Sequence, residues 1–284
     1  MSKFTLSLFI IYLLSTFNSN LDIIKHLQIY LILATFLLSC SQDLEIPPVR
    51  GEFVKEVLEV PGYGLLPYNI LFPKDYDGRK EYPLFFFLHG AGERGNDNTA
   101  QLKHVAPIIA SSENQEKYPA ILVFPQCPLN DYWSSVDRNS KELRPMDTDK
   151  TTAAGIKAEK LLEEIIASYR VDEDRVYVNG ISMGAFGTYS ILSRHPELVA
   201  AGIGVCGGAN LDLIKNYRHI PLQIFHGAKD EVVPVQYSKD LANQLKKLSA
   251  PVQYTEYPSL KHAIWTKVYE DPNTLNWLFK QKKP

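Results

Sequence analysis

From residue 52 onward, short β-rich runs, the central ones apolar throughout, alternate with longer stretches in which apolar residues return every three or four positions. The short runs predict strands at 53–60, 68–72, 84–88, 121–124, 175–178, 201–205, 222–225 and 252–257. The periodic stretches predict helices at 99–110, 153–169, 185–193, 235–248 and 273–280. Central runs such as Leu84-Phe85-Phe86-Phe87-Leu88 are apolar at every position, as strands covered on both faces are. In the helix predicted at 153–169, Ile156, Leu161, Ile165 and Ile166 mark a core side, and Lys157, Glu159, Lys160, Glu163 and Glu164 a wet one. Strands alternating with helices imply an α/β fold over residues 52–284, with helices on both faces of a mostly parallel sheet. Sheets of this kind take ligands beyond the carboxyl ends of their strands, so residues that follow strands are the ones to inspect for chemistry.

The first forty residues follow a different pattern. Residues 4–17 and 27–38 are apolar, with a polar stretch containing Lys25 and His26 between them. Neither run reaches the roughly 20 residues of a spanning helix. The second reads as the apolar region of an export signal, preceded by positive charge and followed by Ser39 and Cys40. Leu37-Leu38-Ser39-Cys40 resembles the lipobox of bacterial lipoproteins, in which the cysteine is lipidated and becomes the new amino terminus. The expectation is an exported protein anchored to a membrane through Cys40 or the leader. Because Lys25-His26 would serve as a charged start on its own, translation is expected to begin downstream of Met1. Residues 41–51, with Pro47-Pro48, read as a short extended tether.

Composition narrows the choices little. With 45% hydrophobic and 22% charged residues, the chain has the make-up of a globular protein with one sizeable core. A formal net charge of -2 gives no footprint for nucleic acid. The basic run Lys280, Lys282, Lys283 reads as a solvated end. No internal repeat points to a solenoid or propeller. Beyond Cys40 only Cys127 and Cys206 are present, too few for a disulfide framework, and they follow strands separated by two others.

The chemistry centres on Gly180-Ile181-Ser182-Met183-Gly184, directly after the run Val176-Tyr177-Val178 and before a helical stretch. A serine on a sharp strand-to-helix turn holds its hydroxyl clear of the backbone, where a base can activate it. Asp230, just past the strand predicted at 222–225, is the candidate acid; the neighbouring Glu231 and Asp240 are its competitors. His262, in the loop after the last strand, is the candidate base, and the order Ser, Asp, His suits this architecture. His89 and His226 each end a strand before glycine and are expected to be packed and hydrogen-bonded; His104, His195 and His219 are assigned to the surface. An oxyanion needs two backbone N–H donors. Met183 offers one, and the loop His89-Gly90-Ala91-Gly92-Glu93-Arg94-Gly95 offers the other, with Ala91 chosen and Gly90 or Gly92 as alternatives. That loop lacks the sequence of a phosphate cradle. The long connection 125–149 carries Cys127, Tyr132, Trp133, Arg138 and Arg144; Tyr132 and Trp133 read either as an aromatic substrate wall or as a packed loop anchor.

Taken together, the glycine-rich loop at 89–95, the elbow at 180–184 followed by Ala185-Phe186-Gly187, His226-Gly227 with Asp230, and His262 resemble the α/β-hydrolase superfamily. More narrowly, the chain resembles secreted bacterial esterases of the feruloyl-esterase and polyhydroxybutyrate-depolymerase type, near dienelactone hydrolases and the catalytic domains of prolyl oligopeptidases. The resemblance implies an eight-stranded sheet whose second strand is antiparallel, and a serine esterase that needs neither cofactor nor metal. Its substrate would be a small-molecule or polysaccharide-linked ester. A serine peptidase or thioesterase is the alternative within enzymes, and a non-catalytic binding lipoprotein the alternative outside them. The absence of an apolar lid-like insertion argues against a triglyceride lipase. If Cys40 is the lipid attachment point, a radioactive fatty acid should label the wild-type protein in cells, and the Cys40→Ala variant should carry no label.

Overall fold

A computed structural model describes residues 51–137, 144–145 and 151–283, all within one compact unit, Ile46–Pro284. The leader, Cys40, the tether up to residue 50 and Arg138 lie outside the described residues, as does the side chain of Arg144.

Eight strands form one sheet: β1 (Phe53–Val60), β2 (Gly64–Leu71), β3 (Tyr82–Leu88), β4 (Ile121–Pro125), β7 (Val171–Ile181), β8 (Ala201–Val205), β9 (Leu222–Gly227) and β10 (Val252–Tyr257). Their spatial order is β1-β2-β4-β3-β7-β8-β9-β10. β2 runs antiparallel to both neighbours, and the pairs from β4 to β10 are parallel. A two-residue ribbon, β5 (Val136–Asp137) with β6 (Arg144–Pro145), lies in the long connection after β4. The helices are α1 (Ala106–Ile109), α2 (Ser112–Lys117), α3 (Ala153–Ser168), α4 (Met183–Arg194), α5 (Ile214–Tyr217), α6 (Val235–Lys247), α7 (Trp265–Glu270) and α8 (Pro272–Leu278).

The period-two alternation of a strand sorts the core into two layers. Leu84, Phe86 and Leu88 of β3 join residues of α3, α4 and α6 on one face. Phe85 and Phe87 join α1, α7 and α8 on the other. Phe85 lies between Phe87, Phe124 and Tyr269, all with ring centroids 6.3 Å away. Both faces of β3 are therefore dry, which is why its sequence shows no alternation.

Four features depart from the sequence reading. The helix expected at 99–110 is two short pieces, the 3-10 turn Ala100–Leu102 and α1. Pro107, which has no N–H to donate back to a preceding turn, sits in the first turn of α1 rather than inside a longer helix. α2 follows, capped by the Ser111 hydroxyl, which accepts from the Asn114 N–H. β2 and β7 run several residues beyond their apolar cores, because ladder pairing continues through Gly64 to Pro67 and through Val171. Lys157 and Glu159, assigned to the wet side of α3, are each 5% exposed. The Lys157 ammonium donates to the Leu65 carbonyl, while Glu159 meets Arg194 and His195, so both buried charges are partnered.

Phe85→Ala should destabilise the fold by about 3–5 kcal/mol, since a buried ring at a three-way aromatic contact leaves a cavity that its neighbours cannot fill. Urea unfolding followed by tryptophan fluorescence measures it.

Candidate active site

Ser182 is the single residue between β7 and α4, and its backbone is bent into a region side chains rarely adopt, with φ 51° and ψ −121°. The Ser182 N–H donates to the Val205 carbonyl at 2.8 Å, which ties the bend to β8. The two flanking glycines are explained by close approach. A Cβ on Gly180 would collide with the Gly184 carbonyl, and one on Gly184 with the Leu88 carbonyl at the end of β3. The elbow is thus wedged directly against the strand that carries the glycine-rich loop.

The three candidate side chains converge. His262 Nε2 lies 2.9 Å from Ser182 Oγ, and His262 Nδ1 lies 2.7 Å from Asp230 Oδ2. With Nδ1–H donated to the carboxylate, Nε2 is left as an acceptor for the serine proton. Ser182 is 6% exposed, and the side chains of Asp230 and His262 are 0% and 16% exposed. Glu231 and Asp240 are engaged elsewhere: Glu231 pairs with Lys261, and Asp240 accepts from Gln236.

Asp230 is held from every side. Its Oδ1 accepts the N–H groups of Val232 and Val233 at 2.8 and 2.9 Å. Its Oδ2 receives His226 Nε2 at 3.0 Å as well as His262. Burial alone would raise this carboxyl, but the hydrogen bonds from His226, His262, Val233 and Val232 outweigh it and hold the group far below its ordinary 3.8. His226, expected only to be packed, is thus a second imidazole on the same acid, anchored through Nδ1 to Ser238 Oγ at 2.7 Å. The acid and base loops are laced together by Ala228 N–H to Tyr257 O and Lys229 N–H to Leu260 O, both 2.9 Å. A side chain at Gly227 would strike the Lys261 carbonyl and part these loops.

Cys206 adds a further tie. Its thiol, which burial pushes up, stays protonated and donates to the His262 carbonyl at 3.2 Å. Cys206, His226 and Asp230 bring possible metal ligands within 4.8 Å of one another. Each of those atoms already takes part in the hydrogen bonds just described, so the cluster is accounted for as hydrogen bonding. Neither Cys127 nor Cys206 forms a disulfide among the described residues.

Met183 and Ala91 each stand at the first position of a helical turn, where a backbone N–H has no acceptor within the helix. The two turns are adjacent: a Cβ on Gly90 would lie 3.6 Å from Ser182 Cβ. The loop bearing Ala91 rests on buried side chains. Gln126 donates to the Glu93 carbonyl and to Asp97, and accepts the Asn98 N–H. His89, pushed down to about 4 by burial and hence neutral at pH 7, contacts the Gly90 carbonyl through Nδ1 and accepts the Cys127 N–H at Nε2.

Trp133 is placed as the packed anchor and not as a substrate wall. It is 1% exposed, and its indole N–H donates to the His89 carbonyl at 3.1 Å. Tyr132 is half-buried and lies under the Arg94 guanidinium, 4.7 Å from ring centroid to carbon. His104 is not a plain surface residue: Nε2 lies 3.1 Å from Glu93 Oε1, and its ring lies 5.2 Å from that of Trp265. Trp265 in turn stands edge-on to His262 at 5.6 Å. Neither Glu93 nor Trp265 was singled out from the sequence, and Cys206 was read there only as a thiol outside any disulfide framework. The spacing of Trp265, three residues after the base, is a signal that could have found it.

A model of the phospholipase/carboxylesterase family matches residues 76–274. The chain belongs to that family. It is an α/β hydrolase of esterase type, and its similarity to individual proteins is partial. Lysophospholipase-like protein 1 of Mus musculus is 26% identical over 224 residues, 72% of this chain and 88% of that protein. A bifunctional acetylxylan esterase/xylanase of Neocallimastix patriciarum is 30% identical over 105 residues, 35% of this chain. Among solved structures, a thermostable esterase superposes with a TM-score of 0.75 at 34% identity, over 81% of this chain. The chain spans 16% of the acetylxylan esterase/xylanase and 63% of the thermostable esterase.

Because the folded Asp230 titrates below its unfolded value, its hydrogen bonds stabilise the protein fully above pH 3.8 and lose that effect as the pH falls toward the depressed folded value. Asp230→Asn should therefore be less stable than the wild type at pH 7, with the gap in melting temperature closing in acid. Thermal melts at a series of pH values measure that gap.

Proposed function

We propose that this family member cleaves carboxylic esters by a two-step acyl transfer on Ser182. The observation that carries the reading is the continuous line of contacts from Ser182 Oγ through His262 to Asp230, at 2.9 and 2.7 Å. His262 Nε2 takes the serine proton as Oγ attacks the ester carbonyl. The negative charge that develops on the carbonyl oxygen is received by the N–H groups of Met183 and Ala91. The carbonyl then re-forms, the C–O bond to the alcohol breaks, and His262 returns the proton to the departing oxygen. Water, deprotonated by the same imidazole, attacks the acyl-serine and releases the acid.

Asp230 keeps the Nδ1–H tautomer in place and stabilises the imidazolium formed in both steps. The Cys206 thiol and the laced loops fix the backbone of His262, so little reorganisation is needed at the moment of proton transfer. Acyl groups carried on polysaccharide, or esters of phenolic acids, are the substrates that this reading favours, and the acetylxylan esterase similarity supports the first. A cell-surface anchor at Cys40 would suit a substrate too large to enter the cell.

Ser182→Ala should lower kcat toward p-nitrophenyl acetate roughly a thousandfold to a millionfold and abolish labelling by a fluorophosphonate probe. Near-normal turnover by this variant would reject the proposal.

A further inference from the structure

The two sides of Ser182 differ in chemistry. On the side of α4 and the acid loop, Val136, Phe186 and Val233 form an apolar cluster with Tyr132 and Tyr237. On the other side an arc runs from the oxyanion loop to the base: Glu93, His104, Trp265 and His262. The alcohol oxygen of an ester must lie against His262 Nε2 to receive its proton, and Trp265 stands edge-on to that imidazole.

Glu93 is the informative member of that arc. It is 8% exposed, and its Oε1 is engaged by His104. Its Oε2 takes no hydrogen bond from the described residues and lies beside Gly90, 3.1 Å from where a Cβ there would stand, a position itself 3.6 Å from Ser182 Cβ. That oxygen is open to solvent, so an O–H or N–H of a bound ligand can reach it. Trp265 beside it offers a half-buried aromatic face, which packs against the C–H side of a hydroxylated ring as readily as against an apolar one.

We propose that Glu93, His104 and Trp265 form the alcohol-side subsite, and that it selects esters whose alcohol carries a further hydroxyl, as in a diol or a sugar. The inference rests on the ester-hydrolase reading of Ser182. Glu93 Oε2 accepts the free hydroxyl next to the esterified oxygen, His104 holds the carboxylate in position, and Trp265 covers the ring.

The test compares two esters of matched length that differ by one hydroxyl, 2-hydroxyethyl acetate and propyl acetate, with a monoacetylated methyl xyloside as the ring-bearing probe. The wild type should favour 2-hydroxyethyl acetate over propyl acetate in kcat/KM by about ten- to a hundredfold, the effect of one hydrogen bond to a charged acceptor. Glu93→Met should bring that ratio close to one, and Trp265→Leu should raise KM for the xyloside acetate relative to 2-hydroxyethyl acetate. A purely structural role for Glu93 would slow both small esters alike and keep their ratio, which would overturn the subsite. Equal turnover of the two small esters by the wild type overturns it without any variant, so a failure of Glu93→Met to fold leaves the test decisive. Wild-type protein that cleaves none of the three esters and takes no fluorophosphonate label would overturn the ester-hydrolase reading itself.

Discussion

The site depends on a carboxylate with no spare capacity. Asp230 receives two backbone N–H groups on one oxygen and two imidazoles on the other, in a position its side chain shares with no solvent. A buried charge is tolerable only when its acceptor sites are filled, and here the filling also fixes its direction. His262 therefore has one orientation that keeps its Nδ1–H bonded, and in that orientation Nε2 meets Ser182. His226 gains importance from the same accounting. It is fully buried, and it braces Asp230 from behind while Ser238 braces it.

A second constraint is steric. The elbow at Ser182 and the loop at Ala91 belong to different strands, yet their donors must point at one oxygen. β3 and β7 are adjacent and parallel, paired as far as Leu88 with Gly180, so both turns leave the sheet at the same level. Contact between the start of α4 and the last carbonyls of β3 then depends on a residue with no side chain at Gly184. The positive φ of Ser182 is a conformational cost that is sustained because the Val205 carbonyl, the Leu88 carbonyl and the helix start all specify it. Cys206, one strand over, also has a positive φ, at 53°, and bends its own loop so that the thiol reaches the base.

Much of this was legible in the chain. The central strands were located because buried parallel strands are continuously apolar, β1 and β10 by their β-rich composition, and the elbow, acid and base because each follows a strand. Legibility failed where meaning comes from partners distant in sequence. Lys157 and Glu159 look like solvated charges in the periodicity of α3 and become buried only through Leu65 and Arg194. Trp133 was equally readable as a wall or an anchor, and the deciding fact was a bond to a carbonyl 44 positions earlier. His104 was assigned to the surface, within a stretch expected to be one helix at 99–110. It falls in the break between the 3-10 turn and α1, where it meets Glu93, and no periodicity carries that information.

The contrast between the two carboxylates beside Ser182 bears on what the site is for. Asp230 spends all its hydrogen-bonding capacity inside the protein, as a group whose task is to hold another residue still must. Glu93 spends one oxygen on His104 and keeps the other beside Gly90, where no described residue bonds it. Were Glu93 merely a support for the oxyanion loop, the Gln126 amide, which already holds its carbonyl at 3.2 Å, would do that work without a charge. A carboxylate at 8% exposure beside an aromatic face, with one oxygen that takes no bond from the described residues, is placed to accept from an incoming donor. A hydroxyl-bearing alcohol supplies that donor when it binds and removes it when it leaves, so the same group that favours binding also leaves no lasting bond to slow release.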